Sequence, residues 1–113
     1  MNEENINNKD AVIEFKVLPV KIEDTVNCIY LLERSAGSEG GYETYDSAVV
    51  IAESEEAAIK WHPNGDHWDN IVDSKLWWWK DSWVTPEHVI ATKTGIALAG
   101  SVPGVMLASF NGG

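Results

Sequence analysis

Cys28-Ile29-Tyr30-Leu31-Leu32 and Ala48-Val49-Val50-Ile51-Ala52 are the two stretches that decide the fold. Each is wholly apolar, rich in β-branched or aromatic residues, and too short for a core helix. Such runs read as strands buried on both faces, and they belong at the centre of a sheet. Glu33 and Arg34 close the first run. Between the two, Ser35 to Gly41 holds three glycines and two serines, a flexible loop, and Tyr42 to Asp46 leads out of it. Two strands so joined pair as an antiparallel hairpin.

Upstream, Val12 to Val20 alternates, with Ile13, Phe15 and Val17 on one side and Glu14 and Lys16 on the other. This predicts a half-buried strand that Pro19 ends or confines to an edge. Residues 1–11 are rich in Asn and Glu and predict a mobile segment ahead of a single domain over 12–113.

Downstream, Ser54 is a good N-cap, and Glu55 and Glu56 suit the positive end of a helix dipole. Ala57 to Lys60 continue the helix until Pro63-Asn64-Gly65 stops it. Ala58, Trp61 and His62 share one face. In Asp66 to Ser82, the residues Trp68, Ile71, Val72, Leu76 and Trp79 recur at helical spacing. A second helix from about Asp69 to Trp79 and a structured loop both fit. Thr85-Pro86-Glu87-His88 reads as one helical turn. Val89 to Leu98 reads as a strand with Gly95 marking a bulge or close contact, and Val105 to Phe110 reads as the last strand. The expected class is α+β: an antiparallel sheet of about four to five strands with one short helix, or two, on one face.

Eighteen acids against eight bases give a net charge of −10 over 113 residues. Such a field repels nucleic-acid backbone and anionic membrane, and it favours basic partners. No apolar run approaches the roughly 18–20 residues of a membrane span. The N-terminus lacks the basic start and apolar stretch of a signal peptide. The lone Cys28 excludes an intramolecular disulfide and reads as a small buried hydrophobe. A cytoplasmic protein is expected. The acids concentrate in the middle, where Val26 to Lys60 carries seven against two bases.

Little points to catalysis. His62 and His67 lie near Asp66 and Asp69, with His88 distant, and this spacing matches no zinc pattern. No metal is therefore expected. No serine occupies a Gly-x-Ser-x-Gly elbow, and no phosphate-cradling glycine loop occurs. Gly37 to Gly41 is flanked by Glu39 and Glu43, which would repel phosphate. No catalytic residue and no cofactor are expected.

The six tryptophans are the anomaly, since all fall between Trp61 and Trp83. Trp61, Trp68 and Trp83 suit a core. Trp77, Trp78 and Trp79 are consecutive and cannot all face one core in helix or strand. At least one is expected to be exposed, and exposed tryptophan is a typical interface anchor. These three, rimmed by Lys75, Lys80 and Asp81, form the expected partner-binding segment. Glu39, Glu43 and Asp46 form an acidic face that steers it to a basic surface. A sugar-stacking platform is a weaker use of the same rings. Self-association through an exposed tryptophan patch is left open.

Three stretches carry a resemblance: Tyr42 to Ala58, Trp61-His62-Pro63-Asn64-Gly65, and Pro103 to Gly112. From about Ile29 to the C-terminus the chain resembles a family of small proteins of tailed phages and prophages to which no activity is assigned. Residues 1–27 and Trp77-Trp78-Trp79 fall outside the likeness. The resemblance implies a phage context, in which small acidic proteins often act on host proteins. The function expected on that footing is binding a host protein with a basic surface, as an inhibitor of an anti-phage defence protein. A binder of a nucleotide-type signal and a phage structural or assembly component are the alternatives.

Overall fold

The computed structural model describes residues 26–38 and 40–112. The strand expected at Val12 to Val20, the N-terminal segment over 1–11 and Glu39 lie outside the described residues. The elements are β1 (Cys28–Arg34), β2 (Thr44–Ala52), α1 (Glu55–Ala58), α2 (Asp73–Ser82), β3 (Val89–Ile96) and β4 (Gly104–Asn111). Short 3-10 turns at Trp68–Asn70 and Pro86–His88 precede α2 and β3. The four strands form one antiparallel sheet in the order β3-β1-β2-β4, as an α+β fold requires.

The two apolar runs pair with each other at the centre. Cys28 is opposite Ala52, Tyr30 opposite Val50 and Leu32 opposite Ala48. These six residues are all buried and face one layer, where Ala58, Trp79 and Trp83 meet them. Full burial of side chains such as Leu32 and Val50 contributes roughly 1.5–3 kcal/mol each. The period-2 alternation sends Ile29, Leu31, Val49 and Ile51 to the other face, where they are half-buried by their neighbours. Ile90 and Leu107 extend that apolar face outward and are exposed.

Ser54 caps α1 by accepting from the Ala57 backbone N–H at 3.1 Å. This four-residue helix has little else to hold its first turn. Ser54→Ala is expected to cost about 1 kcal/mol, read as a lower urea midpoint at unchanged slope.

Several boundaries differ from the sequence reading: α1 ends at Ala58, short of Lys60, and β2 begins at Thr44, ahead of Ala48. The second helix runs from Asp73 to Ser82, not from about Asp69 to Trp79. The Trp68 N–H is taken by the Lys60 carbonyl at 2.7 Å, and Lys60 pairs with Asp69 at 3.5 Å. The 3-10 turn is thereby tied to the end of α1, Ile71 and Val72 run extended, and the helix restarts at Asp73. Strand β3 stops at Ile96, short of Leu98. Its irregularity falls at Thr94, next to Gly95: Gly95 and Lys93 pair with the adjacent Ile29 and Tyr30. The Thr94 hydroxyl donates to the Ile29 carbonyl at 3.2 Å.

Candidate functional site

The three consecutive tryptophans take three different environments because a helix turns about 100° per residue. Trp79 points at the sheet and is fully buried. Its indole N–H donates to the Val84 carbonyl at 2.8 Å, and its ring meets Trp68 edge-on with centroids 5.2 Å apart. Trp79 therefore belongs to the core and presents nothing to a partner. Trp78 lies to the side, half-buried, stacked on the His62 ring at 5.1 Å and 16°. Trp77 points away from the sheet with 67% of its surface exposed. Asp73 and Asp81 lie four residues before and after it, and Lys80 three after, so all three border its indole. Each of these charged residues is exposed.

His62 organises the interior side of this region. The turn Pro63-Asn64-Gly65, with Gly65 at φ 107°, folds His62 back beneath α2. Its Nδ1 accepts from the Asn64 backbone N–H at 3.1 Å, which leaves the ring proton on Nε2. Nε2 donates to Ser82 Oγ at 2.9 Å, and that hydroxyl donates to the Trp78 carbonyl at 3.4 Å. Burial pushes the His62 pKa down from 6.5 to about 4, against an opposing pull from Asp66. The imidazole is thus neutral at physiological pH.

The row continues across the sheet end. Tyr45 meets His62 edge-on at 5.5 Å, and Phe110 meets Tyr45 at 4.9 Å. Arg34 locks this corner: it donates to the carbonyls of Tyr45 at 2.8 Å, Ser38 at 2.9 Å and Ser82 at 3.3 Å. Its guanidinium also lies 5.1 Å from the Trp83 ring. The start of β2 is therefore held beside the end of α2. Glu43, in a left-handed conformation at φ 58°, and Asp46 are both exposed there, flanking Tyr45 in sequence. Glu43 and Asp46 thus share the sheet end with Trp78, whereas Trp77 rises from the outward side of α2.

The histidines do not converge. His62 faces the core, while His67 packs edge-on against Trp61 at 4.8 Å and its Nδ1 accepts from the Asp69 N–H at 3.1 Å. Among the described residues no group of three or more His, Cys, Asp or Glu side chains could hold a metal. No described helix is long and apolar enough to cross a membrane. Tyr45 and Phe110 escaped the sequence reading. The only hint was that each is an aromatic residue near the end of an expected strand, and such a pattern does not say which strands adjoin.

No protein-family model, curated protein or solved structure matches the chain.

Proposed function

We propose that this chain works by binding a protein that presents a basic surface, and that in a phage context it inhibits a host anti-phage defence protein in the bacterial cytoplasm. The observation that carries the reading is Trp77. A tryptophan exposed by 67% on a rigid helix is a ready anchor. Its neighbours Asp73 and Asp81 suit an arginine laid over the indole, which gains cation–π and ion-pair contacts together. The net charge of −10 draws such a partner in from a distance, and Glu43 and Asp46 add to that field. The resemblance to proteins of tailed phages and prophages supplies the host setting.

The test is a phage challenge of a defended bacterial strain expressing the chain. Wild type is expected to restore plaque formation. Trp77→Ala is expected to abolish the effect while leaving stability within about 0.5 kcal/mol of wild type. Loss of an interface anchor of 2 kcal/mol or more corresponds to about thirtyfold in affinity. Trp77→Ala is a cleaner probe than Trp78→Ala, because truncating Trp78 would also unstack His62. Restored plaques with Trp77→Ala, or none with wild type, would count against the reading. The double change Glu43→Lys with Asp46→Lys is expected to slow association and flatten its salt dependence.

A further inference from the structure

The two edges of the sheet are built differently. Strand β3 carries Lys93 on its length, an irregularity at Thr94, and α1 beside it. Those are the devices that keep a sheet edge from pairing. Strand β4, Gly104-Val105-Met106-Leu107-Ala108-Ser109-Phe110-Asn111, has no ionisable side chain and no proline. In a chain where 23% of residues are charged, eight uncharged residues on the outermost described strand stand out. One irregularity, opposite Val49 and Val50, falls at Met106; a second, between the pairs Tyr45–Phe110 and Ser47–Ser109, puts the extra residue Asp46 on β2, so Leu107 to Asn111 of β4 itself runs on without one. Met106, Leu107 and Phe110 are exposed by 56%, 69% and 52%. Among the described residues nothing pairs with the outer side of β4.

We propose that β4 is a self-association edge, on which a second copy of this chain pairs antiparallel across a two-fold axis to form one continuous eight-stranded sheet. The occupant follows from charge. A partner drawn by the acidic field would need acids to meet, and β4 offers none. A second copy is itself strongly acidic, so it can approach closely only where both surfaces are neutral, and β4 is such a place. Antiparallel pairing of identical strands is isologous, so one neutral, apolar strand satisfies both sides at once. Backbone N–H and C=O groups of the two edges, paired along Leu107 to Asn111 about Ser109, supply the attraction. A two-fold axis perpendicular to the sheet puts both copies of α2 on one side, so the association leaves both Trp77 rings free. An interface of two short strands lies at the small end of the size range, where complexes are weak and reversible.

Sedimentation velocity of the full chain over roughly 1–200 μM tests this, on the expectation that small interfaces bind in the micromolar range. The expected result is a shift from the 12.5 kDa monomer towards twice that mass as concentration rises. Amides of Leu107 to Phe110 should gain hydrogen-exchange protection in step. Leu107→Lys, at an exposed position and with circular dichroism confirming the fold, should weaken the dimer at least about tenfold. Ile90→Lys, on the opposite edge strand, should leave it unchanged. A wild-type monomer throughout the range overturns the proposal. So does a dimer that survives Leu107→Lys, or one lost equally with Ile90→Lys, which would indicate packing through the apolar sheet face.

Discussion

Trp79→Ala is expected to lower stability by about 3–5 kcal/mol, the range for removing a large aromatic side chain from a packed core. Domains of this size hold only about 5–15 kcal/mol in total, so much of the population would unfold under mild stress. The side chain is fully buried between the sheet and the 3-10 turn, with Trp68 and His62 against its ring. Its loss leaves a cavity that β1 and β2, locked by their ladder, cannot close. It also strands the Val84 carbonyl, which now accepts at 2.8 Å from the indole N–H. Urea denaturation should show a midpoint lower by roughly 2–3 M for a domain with an ordinary urea slope. Trp77→Ala, two residues away, should leave the midpoint nearly unchanged. A Trp79→Ala cost below about 1.5 kcal/mol would contradict its place in the core.

Acid should destabilise the protein through His62. In the unfolded chain this imidazole titrates near 6.5, and in the folded chain burial holds it at about 4. Below pH 6.5 the unfolded state therefore takes up a proton that the folded state refuses. Stability from this group is complete above pH 6.5, falls as pH drops through the window from 6.5 to 4, and levels off below it. The full loss is about 3 kcal/mol, with about 2 kcal/mol already lost at pH 5. Unfolding measured at pH 7.5, 6 and 5 on wild type and on His62→Gln isolates this histidine as the difference between the two. His62→Gln keeps a group able to accept from Asn64 and donate to Ser82, yet cannot titrate. Its stability should be lower at pH 7.5 and nearly flat down to pH 5. A wild-type curve equally flat over that range would contradict the buried neutral imidazole. Nitrogen-detected NMR should find the proton on Nε2.

The central hairpin was legible because its two runs carry no polar residue to assign to a solvent face. Ser54 with Glu55 and Glu56 marked the start of α1 through local backbone chemistry alone, and the Ser54 to Ala57 bond is the outcome. The start of α2 was not legible. Trp68, Ile71 and Val72 keep helical spacing with Leu76 and Trp79, yet the contacts of Lys60 with Trp68 and Asp69 hold a 3-10 turn against the end of α1, and Ile71 and Val72 run extended after it. A tertiary bond overrode a local pattern.

For the candidate site, three adjacent tryptophans guaranteed that they could not share one environment. Which one faced outward depended on the rotation of α2 about its axis. That rotation is set by the fit of Trp79 and Trp83 against Leu32 and Val50, and by the hold of Arg34 on the Ser82 carbonyl. His62, Tyr45 and Phe110 come from three separate parts of the chain and meet only because β2 lies between β1 and β4.

By itself, then, the sequence determined a small acidic α+β domain with Cys28 to Leu32 and Ala48 to Ala52 at the centre of its sheet. Periodicity, capping and net charge are local or additive properties, and they survive without knowledge of what lies next to what. Tertiary structure alone decided that Trp77 faces solvent while Trp79 fills the core, that His62 is buried and neutral, and that the uncharged β4 is the outermost described strand on its side of the sheet. Those facts depend on strand order and helix rotation, which follow from the packing of residues distant in sequence.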